Sequence, residues 1–194
     1  MPNGLTEAFD YWDEYWGLLY SDDDVRFPTQ LWGFESFTDS ARTLGTVNHG
    51  GATFGFLQTG KATIRDSVIE WNLLPEQWFA LPDGLDVELQ PYTRLMISQR
   101  RGFRGISAMG GPIETVGRLR YIDGCSDSLL CAPPIFGAPC LNFLHFPSNI
   151  HQTPHTHPST RAGIVARGSG TCITPTGRTE LCAGRIFYIP RNSI

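Results

Sequence analysis

The sequence predicts an all-β fold in which one β-rich block is present twice. Three observations carry the prediction. The chain has 21 glycines and 14 prolines against a charged fraction of only 18%, a balance that favours many turns between short strands over long helices. Its apolar residues fall in short runs rich in β-branched and aromatic side chains, each bounded by Gly, Pro or Asp. Two blocks of such runs also superpose without a gap.

Bulk properties narrow the classes of function. With 194 residues and 41% hydrophobic content, the chain can bury one substantial core or two small ones. A net charge of −4, from 15 basic and 19 acidic residues spread along the chain, leaves no basic patch for nucleic acid or an anionic membrane. No apolar run approaches the roughly 20 residues that span a bilayer, and Met1–Thr6 lacks the basic and apolar regions of a secretory signal. A cytoplasmic location is expected. The five cysteines, Cys125, Cys131, Cys140, Cys172 and Cys182, are odd in number and form no CxxC pair, so reduced, mostly buried thiols are expected rather than a disulfide framework or a zinc knuckle.

Residues 1–38 are expected to form a helix and a linker packed on the β-rich remainder of the chain. Thr6 can cap the helix, Glu7 and Asp10 suit its dipole, and Phe9, Trp12, Trp16, Leu19 and Tyr20 share one face. The acidic run Asp22–Asp24 ends it, and Pro28–Gly33 reads as the linker. A first β-unit, 39–110, then carries strands at Ala52–Leu57, Ser67–Asn72, Trp78–Leu81, Asp86–Leu89 and Leu95–Ser98. The Gly- and Pro-rich stretch Gly102–Pro139, and within it 111–139, reads as a connection. A second unit, 140–194, carries strands at Leu141–Phe146, Ala162–Ala166, Gly170–Thr174 and Arg185–Ile189.

The two units align at a constant offset of 108 residues. Gly55 matches Gly163, Gly60 matches Gly168, Thr63 matches Thr171, Leu73 matches Leu181, Phe79 matches Phe187 and Pro82 matches Pro190. Turn glycines and a proline recur where the chain must turn, and Phe56/Ile164 and Leu57/Val165 keep their apolar character. Duplication of one unit is the expectation.

The residues that bear chemistry concentrate in the segment from His145 to Gly168. In a strand, side chains two apart point to one face, so His155 and His157 would project into one space with imidazoles close enough to share an ion. Neutral imidazoles suit Zn, Fe, Mn, Ni or Cu. The run Asn149-x5-His155-x-His157-x3-Arg161-x6-Gly168 resembles the first signature of the cupin superfamily, G-x5-H-x-H-x3-E-x6-G, with every spacing kept, Asn for the first Gly and Arg for the Glu. Asn is the mildest replacement for Gly at a left-handed turn. Gly184-x5-Pro190-x-Asn192 resembles the second signature, again with Asn for Gly. Only Ser193 and Ile194 follow, so the resemblance implies a second barrel that stops before its last motif histidine. In the first copy Val47 stands at the place of His155, His49 at that of His157 and Thr53 at that of Arg161, which reads as a structural unit with His49 an ordinary polar residue.

The resemblance implies a double-stranded β-helix, or jelly-roll barrel, in two tandem copies behind the N-terminal helix. It implies a metal-dependent enzyme, dioxygenase-like or lyase-like, acting on a small organic acid, with a divalent transition metal (Fe, Mn, Ni or Zn) on His155 and His157. Arg161 or Gln152 would orient the substrate. A guanidinium cannot ligate a metal, but turned inward Arg161 could pair with a carboxylate or phosphate; turned outward it would sit in solvent at the barrel rim. His151 is expected at the rim or behind the ligands, His145 at an edge, and Tyr188 and Cys172 in packing. The alternative is a non-catalytic module that binds a small molecule or supports an assembly, and metal-free sugar isomerisation is a third class. An open sheet edge in an incomplete barrel would invite a homodimer.

Overall fold

In the computed structural model, residues 9–26, 28–37 and 43–193 are described. The N-terminal part contributes β1 (Asp10–Trp12), β2 (Trp16–Ser21) and β3 (Thr29–Ser36). The first copy continues with β4 (Thr43–Val47), β5 (Gly51–Thr59), β6 (Ala62–Arg65), β7 (Glu70–Leu73), β8 (Trp78–Leu81), β9 (Leu85–Leu89) and β10 (Thr93–Arg101). Next come β11 (Ala108–Gly110), β12 (Leu119–Arg120), a single 3₁₀ turn at Ile122–Gly124, β13 (Ser126–Cys131) and β14 (Leu141–His145). The second copy ends with β15 (Arg161–Ile164), β16 (Ser169–Thr174), β17 (Gly177–Cys182) and β18 (Ile186–Ile189). The fold is all-β, as the turn-rich composition predicts.

Two sheets of the first copy pack face to face. One runs β11-β8-β5-β10-β3-β2 and the other β4-β9-β6-β7. Alternation along each strand sends Trp32, Phe34, Leu57, Phe79, Leu95 and Ile97 of the larger sheet against Val47, Ile64, Leu73, Val87 and Leu89 of the smaller. Each such side chain removed from water stabilises the unit by about 1.5–3 kcal/mol. Val47 lies in this core at 1% exposure, so the place of the first motif histidine is filled by packing. His49 is exposed and its Nδ1 lies 3.3 Å from Asp83.

The N-terminal helix is not formed. Thr6 and Glu7 lie outside the described residues, and from Asp10 onward the segment is extended in β1 and β2. Bulky residues at eight of the twelve positions from 9 to 20 satisfy a period of two as well as 3.6, and Gly17 at φ +89° interrupts any helix. Strand partners then decide: β1 pairs with β18 and β2 with β3. The linker at Pro28–Gly33 is likewise corrected, because β3 is an interior strand of the six-stranded sheet. Gly33 is there for close approach and not for a turn, since a Cβ would come within 2.7 Å of the Tyr15 ring.

The register reproduces the 108-residue offset. β5 pairs β8 through Thr53↔Leu81, Phe54↔Ala80, Gly55↔Phe79 and Phe56↔Trp78. β15 pairs β18 through Arg161↔Ile189, Ala162↔Tyr188, Gly163↔Phe187 and Ile164↔Ile186, each partner 108 further on. The same holds for β6 with β7 and β16 with β17, where Ala62↔Leu73 becomes Gly170↔Leu181. A glycine lies under a phenylalanine ring in both copies, Gly55 under Phe79 and Gly163 under Phe187.

No closed barrel forms among the described residues, which corrects the expectation of two tandem barrels: the first block lies in two open sheets, and in 140–194 β18 and β15 pair with β1, β14 joins β12 and β13, and β16 pairs with β17. The stretch expected as a bare connection thus supplies β11, β12 and β13. The second copy packs on the back of the six-stranded sheet: Ile186 and Tyr188 meet Tyr15, Leu31 and Met96, while Cys131 and Leu141 meet Ala52, Phe54 and Ala80. Polar links cross the same seam, Tyr15 to the Gly184 carbonyl at 2.9 Å, Tyr188 to Asp22, and Arg167 to Glu76. Among the thiols Cys125 and Cys131 are buried, Cys172 is half-buried, and Cys140 and Cys182 are exposed, which corrects the expectation of mostly buried cysteines. No helix of the described residues is long and apolar enough to cross a membrane.

Candidate functional site

The left-handed turns demanded by the two signatures are present. Asn149 (φ 61°), Gly168 (φ 74°), Gly184 (φ 90°) and Asn192 (φ 59°) all occupy that region, so the substituted asparagines keep the glycine backbone. The two signatures also touch, because the Asn192 N–H donates to the His157 carbonyl at 2.7 Å.

His155 and His157 do not lie on a strand; residues 151–160 are outside regular structure and β15 begins at Arg161. The rings nevertheless come together, 4.8 Å between centroids and 80° apart in plane. Each ring is oriented by a different partner. His155 Nδ1 donates to the Thr153 carbonyl at 2.8 Å, and the Thr153 N–H is held by the Asp123 carboxylate at 2.6 Å. A carbonyl only accepts, so His155 carries its proton on Nδ1 and presents a lone pair at Nε2. His157 Nδ1 faces the Arg161 guanidinium at 3.1 Å. A guanidinium only donates, so neutral His157 accepts at Nδ1 and carries its proton on Nε2. Burial first, then Arg161 and His155, push the His157 imidazolium down to about 4, which keeps the ring neutral near neutral pH.

Arg161 turns back towards the histidine pair while staying open to solvent. It opens β15, and residues two apart share a face, so it lies on the Gly163 side, where the Phe187 ring packs with Phe9 stacked at 6.2 Å. Ser159 Oγ accepts from one of its amino groups at 2.6 Å and the Thr160 carbonyl at 3.3 Å. With the His157 contact, three of the five N–H donors are used and two find no acceptor among the described residues. No carboxylate of the described residues pairs with it. Burial pushes the Cys140 thiol up against the pull of the Arg161 charge, and its hydrogen points to Asn142 at 3.1 Å; Asn142 in turn donates to Asp127 at 2.9 Å.

The other sequence candidates are placed less favourably. Gln152 donates to the Cys125 sulfur at 3.7 Å and makes no contact that joins it to Arg161, so nothing in its placement supports a role in orienting substrate. His151 is exposed. His145, on β14, lies 3.4 Å from Ser126 Oγ. Tyr188 is in the seam between the copies, and Cys172 is half-buried on β16. Sequence reasoning missed Asp123, Cys140 and Asn142. The Asp123-Gly124 pair is a turn signal, and Asp123 does sit at φ 54°; no local signal marks the other two.

These residues do not fit a metal ion as they are placed. His155 has a free lone pair, but on His157 the Arg161 donor has taken the one lone pair that a neutral imidazole owns, and the fixed positive charge lies beside it. Among the described residues no group of three His, Cys, Asp or Glu side chains stands close enough to hold an ion.

No known family model matches the chain, and no curated protein matches it. Among solved structures the fold has cupin-type neighbours. A cupin 2 conserved barrel domain protein from Leptotrichia buccalis matches all of this chain and 83% of its own, at TM-score 0.60 and 12% identity. Protein Ylba from E. coli, of the DUF861 family, matches over 99% of this chain and 88% of its own, at TM-score 0.56 and 15% identity. A protein of unknown function from Pseudomonas syringae in that same family covers 91% and 78%, at TM-score 0.57 and 12% identity. At such identities the likeness is one of fold.

Proposed function

We propose that this cupin-fold protein is a duplicated pair of units, a structural copy over 39–110 and a ligand-bearing copy over 140–194, and that the second binds a small organic acid in the cytoplasm. The observation that carries the reading is Arg161. It lies on the Gly163 face of β15, its guanidinium is anchored by Ser159 and Thr160, and it faces no carboxylate of the described residues. Two N–H donors are left for an anion, the arrangement in which a guanidinium takes a carboxylate. His157 Nε2–H adds a donor and His155 Nε2 an acceptor, so a carboxylate that also carries a hydroxyl complements the set. The Phe187 and Phe9 rings supply an apolar wall.

The test is a titration of the full chain with glycolate, malonate and succinate by calorimetry, with glycerol as the uncharged control. Loss of a charge-assisted contact worth about 1.5–3 kcal/mol predicts a roughly tenfold to hundredfold weaker Kd in Arg161→Gln. Equal affinity in that variant, at unchanged circular dichroism, refutes the reading. A second reading, a metal-dependent oxidoreductase or lyase, has only the His155 Nε2 lone pair in its favour and would need Arg161 to leave His157 Nδ1.

A further inference from the structure

We infer that Arg161 holds transition metals off His157, so that this histidine pair is closed to metal by a side chain four residues along the same segment. The inference deepens the proposed function and rests on it in taking Arg161 as a cation turned towards the histidines. The Arg161 donor at 3.1 Å fixes the His157 tautomer with the proton on Nε2. An ion approaching Nε2 meets a hydrogen, and one approaching Nδ1 meets the guanidinium. His155 alone offers a lone pair, and one imidazole does not hold a divalent ion firmly. Displacement of Arg161 is resisted by its other contacts, at 2.6 Å to Ser159 and 3.3 Å to the Thr160 carbonyl. The charge adds to the steric block, since a dication would enter beside a guanidinium that cannot lose its proton.

The substitution that isolates this effect is Arg161→Met, which keeps much of the length of the side chain and removes its donors and charge. Co²⁺ is titrated into the full-length wild type, Arg161→Met and the double variant Arg161→Met/His157→Ala, with equilibrium dialysis for affinity and visible absorption for the ligand field. Arg161→Met should bind Co²⁺ about tenfold or more tighter than wild type, the scale on which neighbours tune a metal ligand, and the double variant should lose the gain. If Arg161→Met fails to fold by circular dichroism, Arg161→Gln is read in the same way. Affinity unchanged within twofold between wild type and the single variant overturns the inference, as does a gain that survives His157→Ala. Carboxylate titration of the wild type without metal separates the two ideas. Carboxylate binding with no metal gain refutes the inference and leaves the proposed function standing; a metal gain with no carboxylate binding does the reverse.

Discussion

Gly55 and Gly163 stand at one place in the repeat, yet alanine at the two should differ in cost. Either change removes backbone freedom from the unfolded chain, which by itself stabilises by about 0.4–1 kcal/mol. At 55 the new Cβ would overlap the Phe79 ring, which is fully buried with core side chains on all sides. Overpacking of that kind costs about 1–3 kcal/mol, and with no space for the ring to move the upper half of the range applies, leaving a net loss of about 1–2.6 kcal/mol. At 163 the nearest ring atom would lie at 2.6 Å, but Phe187 is only half-buried and can tilt towards the open face. The two effects then roughly cancel, for a net change within about 0.5 kcal/mol. Urea unfolding followed by tryptophan fluorescence measures both. A midpoint lowered as much by Gly163→Ala as by Gly55→Ala would refute the claim that the second copy keeps the register of the first without its packing.

Arg94→Met should destabilise by about 3 kcal/mol, the usual cost of stranding one member of a buried pair, because Glu35 is 1% exposed in its side chain and Arg94 is its partner. Burial already pushes the Glu35 carboxyl up against the pull of Arg94, so protonation favours the folded state. The loss should therefore be smallest in acid and grow as pH rises through the folded-state pKa; an equal loss at pH 5 and pH 8 contradicts this. For His157 the sign is opposite. Its folded pKa, about 4, lies below that of a free histidine, so the unfolded chain protonates first and the contribution to stability is lost as pH falls from about 6.5 towards 4. A ¹⁵N-detected NMR titration that places His157 near 6.5, or one in which Arg161→Gln does not raise it, removes Arg161 from the account.

Part of the strand pairing was legible because two blocks of the sequence share one offset of 108 residues. The offset read from Gly55/Gly163 and Phe79/Phe187 is the offset of the strand pairing, and Trp78–Leu81 is a strand with the bounds its composition suggests. The N-terminal segment was misread because its closely spaced Trp, Tyr and Leu residues fit either period, and the choice was made by partners on β18 and β3, the first of them far away in sequence. The two imidazoles do come together, but on irregular chain and not through the strand alternation from which their pairing was expected. The relation that decides their chemistry was not legible, since it depends on where a guanidinium four residues away turns, and the motif resemblance assigns that position to a carboxylate. Cys140 and Asn142 were invisible because β14 reaches Arg161 only through the fold.

The crossing of β1 to β18 bears on how the chain is made. Asp13 meets Arg185 across 172 residues, so β1 is the edge strand of a sheet whose other members, β15 and β18, are synthesised long after it. The first copy can collapse while the nascent chain is still growing, since β5 to β10 are contiguous. The outer strand must wait unpaired until β18 has been made, and contacts of such long range form slowly. Synthesis of β18, and not emergence of the first block, would then set the moment at which the Arg161 face acquires its aromatic wall.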